Sequence, residues 1–160
     1  MDRLWSPWRY NYVSSGIAPG VCIFCAKLAE SDDRKNWIIA RERHNFVLLN
    51  LYPYTNGHLM IAPYAHVPTL DEATTEARAE LIELTAKAER ALRKIYRPGG
   101  INLGMNLGEC AGAGVAGHIH MHVLPRWPGD ASFMTTVSET RVMPEDLSSS
   151  YDKLLAEWRA

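Results

Sequence analysis

The sequence predicts an α+β domain, and three observations carry the prediction. Between about residues 74 and 96 the apolar positions Ala77, Leu81, Leu84, Ala88, Leu92 and Ile95 recur at spacings of three and four, the stripe of a long amphipathic helix. Short apolar runs at 37–40, 45–49, 58–63 and 101–106 are bounded by Gly, Pro, Asn and charged residues, as strands are. Residues 118–124 alternate His with Ile, Met and Val, the period of a strand.

Taken in order, residues 1–20 mix Trp5, Trp8, Tyr10 and Tyr12 with Ser, Pro and Gly without periodicity, and read as an irregular aromatic arm packed on the domain or on a partner subunit. Residues 24–30 hold good helix formers stopped by Ser31, Asp32 and Asp33, so a short helix is expected. The runs at 37–40 and 45–49 flank the charged link Arg41-Glu42-Arg43 and read as a hairpin. Tyr52-Pro53-Tyr54-Thr55-Asn56-Gly57 is a turn whose Asn-Gly supplies positive φ, and a third strand follows over 58–63. The long helix carries Asp71, Glu72 and Glu76 near its start and Arg93, Lys94 and Arg97 at its end, as its dipole favours, and Pro98-Gly99-Gly100 stops it. A fourth strand over 101–106, a glycine-rich loop and a fifth strand over 118–124 come next. Residues 128–144 read as an extended tail, and Pro144-Glu145-Asp146 opens a last short helix ending near Trp158.

The 160 residues carry 17 Lys plus Arg against 18 Asp plus Glu, a formal net charge of −1. That charge gives no field for a nucleic-acid polymer or an acidic membrane, so a phosphate ligand is expected to be small and held by local geometry. A chain of this length buries about 68–70% of its unfolded surface and needs no disulfide. Three cysteines and a start without an apolar run point to a reducing cytoplasm. The stretch 46–70 lacks Asp, Glu, Lys and Arg, but Pro53, Gly57, Pro63 and Pro68 break it, so it reads as buried strands and turns rather than a membrane helix.

The chemistry concentrates at His118-Ile119-His120-Met121-His122. Strand alternation puts the three histidines on one face and Ile119, Met121 and Val123 on the other, toward the long helix. Clustered imidazoles repel when charged and pack less well than Val or Leu, so three at this spacing indicate a site rather than a core. The preceding Gly112-Ala113-Gly114-Val115-Ala116-Gly117 matches GxGxxG, but that motif binds a pyrophosphate only where a helix follows, and here a strand does. A nicotinamide oxidoreductase is thereby disfavoured. The loop is either a plain connection or a cradle of backbone N–H groups for a phosphate.

With these residues in hand, the sequence resembles the histidine triad (HIT) family, whose signature is His-φ-His-φ-His-φ-φ after a glycine-bearing loop. Gly57-His58, Asn50 upstream of it and Cys22-Ile23-Phe24-Cys25 fit the same pattern. The segments 4–9, 49–54 and 129–144 resemble the branch of bacterial diadenosine tetraphosphate phosphorylases. The resemblance implies a family domain over 21–127, an extension over 128–160 packed on the domain or a partner, and a five-stranded antiparallel sheet that becomes ten-stranded in a homodimer. It also implies nucleotidyl transfer through a covalent nucleotidyl-histidine. On that basis His120 attacks the α-phosphorus of an adenine nucleotide or dinucleoside polyphosphate, His122 contacts its oxygens, and His118 and His58 support the site. Asn50 holds the ribose, Asn106 and Gly114 lie by the phosphates, and Phe24 and Leu48 line the base pocket. The family's zinc-binding members add a structural zinc site of Cys22, Cys25, His66 and His118.

Those residue types suit the chemistry. An imidazole is neutral and nucleophilic near pH 7, and neighbouring histidines favour that form. Backbone amides and neutral donors stabilise the equatorial oxygens without an obligatory magnesium ion. Where many members place Ser, Thr or Gln in the loop, this chain has Ala113-Gly114-Val115 and lacks a side-chain donor. Orthophosphate and water both remain open as acceptors. Two function classes stay in play: an adenylyl-transferring enzyme, and a zinc-stabilised nucleotide-binding protein with little turnover. For Cys22 and Cys25 a metal site, plain core thiols and a redox pair are the alternatives, the last without the βαβ pattern it needs. Cys110 is expected to be unpaired.

Overall fold

A computed structural model describes residues 21–130 and 143–160. The order is α1 (Ile23–Ala29), β1 (Ile38–Arg41), β2 (Asn45–Leu49), β3 (Leu59–Pro63), α2 (Thr75–Tyr96), β4 (Gly100–Gly104), a 3₁₀ turn (Glu109–Ala111), β5 (Met121–Arg126) and α3 (Leu147–Arg159). The strands form one antiparallel sheet in the order β1-β2-β3-β5-β4. Expected residues 1–20 and most of the tail, 131–142, lie outside the described residues.

Both faces of the sheet centre are covered, which is why β2 and β3 are apolar at nearly every position rather than alternating. Val47, Leu49, Leu59, Ile61 and Val123 point toward α2 and α3, where Leu81, Leu84, Ala88, Leu92, Leu154 and Trp158 meet them. Phe46, Leu48, Met60 and Ala62 point the other way, beneath Phe24 of α1. The register Leu48↔Met60↔His122 carries that second face across the sheet, so an apolar floor leads directly to a histidine.

Local signals account for the helix ends. Thr74 caps α2 by accepting the Ala77 N–H at 3.1 Å, a bond worth about 1 kcal/mol, and Arg97 ends it in the left-handed conformation at φ 45. Asp146 caps α3 by accepting the Ser149 N–H at 2.9 Å. The Tyr151 hydroxyl donates to the Ile38 carbonyl at 3.1 Å and fixes α3 to β1. Gly57, at φ 74, is required twice over, since a Cβ there would meet Tyr96 Cε2 at 2.6 Å.

Two strands are shorter than their sequence patterns. β4 ends at Gly104 rather than 106, and β5 begins at Met121 rather than 118. β5 can pair with β3 only as far as Ile61↔Met121. Before that point the Ile119 N–H donates to the Val67 carbonyl at 2.9 Å and the His118 ring donates to the Pro63 carbonyl at 2.8 Å, outside the strand ladder. The strict alternation expected for the three histidines therefore holds from His120 to His122 but not back to His118. No helix of the described residues is long and apolar enough to cross a membrane.

Candidate active site

A cleft of about 350 Å³ opens on the α1 side of the sheet. Phe24, Leu48, Asn50, Asn106, Gly114, His120 and His122 all line it, so most of the residues expected from sequence converge. The apolar end is built by α1 and β2, the imidazoles come from the start of β5, and the glycine loop closes the side.

The hydrogen bonds settle which nitrogen of each ring carries the proton. His120 Nδ1 lies 2.9 Å from the His118 carbonyl. A carbonyl only accepts, so Nδ1 donates and Nε2 keeps the lone pair. His58 Nδ1 accepts the Tyr54 N–H at 3.2 Å and lies 3.3 Å from Asn50 Nδ2. The Asn50 amide is oriented for this because its Oδ1 accepts the Tyr52 N–H at 3.0 Å. Neutral His58 therefore carries its proton on Nε2 and donates it to His122 Nδ1 at 2.8 Å. His122 is left with a donor at Nε2. The backbone of the 50–54 turn thus dictates, through His58, that His122 offers an N–H, while the His118 carbonyl dictates that His120 offers a lone pair.

Electrostatics keep these rings uncharged. Burial holds His58 well below the ordinary histidine range, and the charges of His122 and His120 add to it. Burial also lowers His120, against the His118 carbonyl, which favours the charged form. His122 is pushed down to about 4, by burial first and His120 second. A histidine whose pKa is lowered by folding takes up its proton more readily unfolded, so the stability it contributes is present above about pH 6.5 and is lost as the pH falls toward 4. The loss from His122 alone is about 3 kcal/mol. Urea unfolding midpoints measured from pH 7 to 4 should fall accordingly and should fall less in His122→Asn; an unchanged slope in the variant contradicts this assignment.

His118 departs from the expected triad face. It is fully buried and does not line the cleft; its Nδ1 turns to Cys22 Sγ at 3.4 Å and Cys25 Sγ at 3.7 Å. His66 Nδ1 lies 3.4 Å from Cys25 Sγ, and the four ligand atoms fall within 4.8 Å of one another. A tetrahedral ion with metal–sulfur bonds near 2.3 Å and metal–nitrogen bonds near 2.05 Å has sulfur–nitrogen edges of about 3.6 Å. The donor set fits such an ion. His118 Nε2 also donates to the Pro63 carbonyl at 2.8 Å, which leaves Nδ1 as the free ligand atom. Gly117 makes room for the cluster, as a Cβ there would stand 3.3 Å from His66 Nε2. These residues could hold a metal ion, joining α1 to the loop after β3 and to the approach to β5.

The glycine loop is narrower in function than its sequence implies. The N–H groups of Gly112 and Ala113 are spent on the Glu109 and Gly108 carbonyls at 2.9 and 3.3 Å, and Asn106 Nδ2 donates to the Gly112 carbonyl at 3.3 Å. Val115, where a hydroxyl is absent, packs with the Phe24 cluster. Gly114 and Val115 remain as the loop residues that face the cleft with no backbone bond of this kind among the described residues. Lys27 and Tyr54 are among the several lining residues not read from the sequence. Lys27 sits one turn after Ile23 on α1, a spacing that could have revealed it, whereas Tyr54, whose ring lies 4.8 Å from His58, was hidden within a turn.

Comparison with known proteins agrees with this arrangement. A HIT domain family model matches residues 32–129. The chain is 38% identical over 167 aligned residues to the protein named AP-4-A phosphorylase of Mycobacterium tuberculosis, covering 99% of this chain and 85% of that one. It is 29% identical to bis(5'-nucleosyl)-tetraphosphatase [asymmetrical] of Schizosaccharomyces pombe, over 71% of this chain and 63% of that protein. Among solved structures, a zinc-bound histidine triad family protein from Mycobacterium smegmatis superposes with a TM-score of 0.69 at 29% identity, covering 86% of this chain and 93% of that one. With the family model spanning most of the described domain and the histidines gathered at one cleft, the chain belongs to the HIT family.

Proposed function

We propose that this protein transfers the adenylyl group of a dinucleoside polyphosphate, of the diadenosine tetraphosphate kind, to orthophosphate through a covalent adenylyl-histidine. The observation that carries the reading is His120: a buried, uncharged imidazole on the wall of the cleft, with its Nδ1 proton held by the His118 carbonyl and its Nε2 left as nucleophile. In the first step Nε2 attacks the α-phosphorus and the bond to the bridging oxygen breaks, releasing ATP. The Nε2 proton of His122 and the N–H groups of Gly114 and Val115 stabilise the phosphoryl oxygens. Orthophosphate then takes the adenylyl group, giving ADP and restoring His120.

The base lies against Phe24 and Leu48, with Asn50 at the ribose and Asn106 bracing the phosphate loop. His58 acts through His122, fixing its tautomer. The loop's lack of a hydroxyl donor suits a polyphosphate, which leaves as a stable anion without needing a proton from the protein. The near-full-length similarity to the mycobacterial phosphorylase favours orthophosphate over water as acceptor. Cys22, Cys25, His66 and His118 are assigned to a structural zinc ion, because two thiols and two imidazoles at tetrahedral spacing match its ligand preference. The edge of β4, unpaired among the described residues and with Leu103 half exposed, is assigned to a homodimer in which the sheet continues into a second copy. The reaction is placed in the cytoplasm, with neither a nucleic-acid polymer nor a membrane as partner.

Diadenosine tetraphosphate supplied with orthophosphate should yield ATP and ADP, with a rate that saturates in phosphate. Radiolabel from the orthophosphate should appear in ADP. A mixture of ATP and AMP indifferent to phosphate would make water the acceptor and the protein a hydrolase.

A further inference from the structure

Lys27 is the only lysine, arginine or acidic side chain among the described residues lining the cleft. It stands on α1 three residues after Phe24 and four after Ile23, so the helix face that supplies the apolar wall also brings an amine to it. Its Nζ donates to the Asn36 carbonyl at 3.1 Å, which uses one of three N–H groups. The carboxylate one turn on, Glu30, is occupied by Lys35 Nζ at 2.9 Å and Asn36 Nδ2 at 3.0 Å, and Lys27 forms no salt bridge among the described residues. Two donors therefore remain for a ligand in the cleft.

The place of that amine decides what it can touch. Asn36 precedes β1, whose Ile38 lies opposite Leu48 of β2, whereas His122 lies on β5. In the order β1-β2-β3-β5 the two ends are separated by three strand spacings of about 4.8 Å, on the order of 14 Å. A lysine so far from the imidazoles misses the α-phosphorus and meets the outer edge of a base lying against Phe24 and Leu48. Phe24 marks the inner end of that wall, its ring centroid 4.9 Å from that of His120. Ile23, Phe24 and Leu48 bring no acceptor, and Asn36 is only 6% exposed and outside the lining. The edge of the base therefore faces an ammonium, which donates and cannot accept.

We propose that Lys27 reads the base of the transferred nucleotide and favours a purine with oxygen at C6, hypoxanthine or guanine, over adenine. In those bases the C6 oxygen and N7 are adjacent acceptors, and one ammonium can donate to both. Adenine offers N1 or N7 singly, each flanked by the N–H groups of its 6-amino group, which face the ammonium donor against donor. The inference rests on the adenylyl-transfer reading above and widens its substrate class to purine dinucleoside polyphosphates, with the same bond made and broken at His120.

Calorimetric titration of the full chain with inosine 5'-monophosphate and with AMP compares the two bases without needing turnover. Wild type should bind inosine 5'-monophosphate about three- to tenfold more tightly. Lys27→Met keeps most of the stem and removes the donors, and should bring the two constants together, chiefly by weakening inosine 5'-monophosphate. Lys27→Gln can still donate to the Asn36 carbonyl and so hold α1 in place, but it adds an acceptor, and should abolish the preference or reverse it. AMP bound as tightly as inosine 5'-monophosphate or more tightly by wild type, an undiminished preference in either variant, or two constants that rise together, overturns the assignment to Lys27 and leaves adenylyl transfer standing. Wild type that binds neither nucleotide counts against the adenylyl-transfer reading itself.

Discussion

His120→Asn is expected to lose turnover of diadenosine tetraphosphate by at least about 10⁴-fold while keeping affinity for AMP within a few-fold. Asparagine can still donate to the His118 carbonyl, which His120 Nδ1 reaches at 2.9 Å, but it brings no nucleophilic nitrogen. The contacts expected to hold AMP lie elsewhere, on Phe24, Leu48 and Asn50, so binding and bond-making separate. Rapid quench followed by mass spectrometry should find an adenylyl adduct on wild type and none on the variant. Retention of more than about a tenth of the wild-type rate by a folded variant would sink the covalent mechanism.

The second large effect concerns the metal. Protein purified without chelator should carry about one zinc ion per chain, and the double variant Cys22→Ser, Cys25→Ser should carry none. Its thermal midpoint should fall by about 10 °C or more, because the cluster ties α1, the loop after β3 and the approach to β5 into one unit. The approach to β5, for example, lies outside the strand ladder and is joined to neighbouring segments through the Ile119 N–H to Val67 carbonyl bond and the His118 ring to Pro63 carbonyl bond. Metal analysis finding no zinc in well-folded protein, with no change in midpoint on chelation, would return Cys22 and Cys25 to the role of core thiols.

Much of the architecture was legible because it is written in local periodicity. The long helix announces itself through Leu81, Leu84, Ala88 and Leu92, and its observed start at Thr75 follows the Thr74 cap. The Asn56-Gly57 turn is equally readable, since positive φ at Gly57 is a property of the residue itself. The five strands were found, but the ends of β4 and β5 were misjudged. Strand ends depend on tertiary pairing, and β3, which runs on to Pro63 against β2, pairs with β5 only as far as Ile61.

The site divides along the same line. The sequence alone determined which residue types are available to the cleft and the cysteine cluster: His120 and His122 near strand spacing, His58 after a glycine, two cysteines at a helix start and a glycine-rich loop. These are choices of residue type, and residue type sets what a group can donate, accept or attack. Only the tertiary structure decided how the groups divide the work. It kept His118 out of the cleft, beside Cys22, Cys25 and His66, the set that the family resemblance implied. It gave Asn50 the task of orienting His58, and it fixed the proton of each ring from backbone groups at Tyr54 and His118. The physical reason is that a histidine's tautomer and pKa belong to its neighbours and its burial. Those neighbours, 64 residues away in the pair His58 and His122, meet only when the sheet closes.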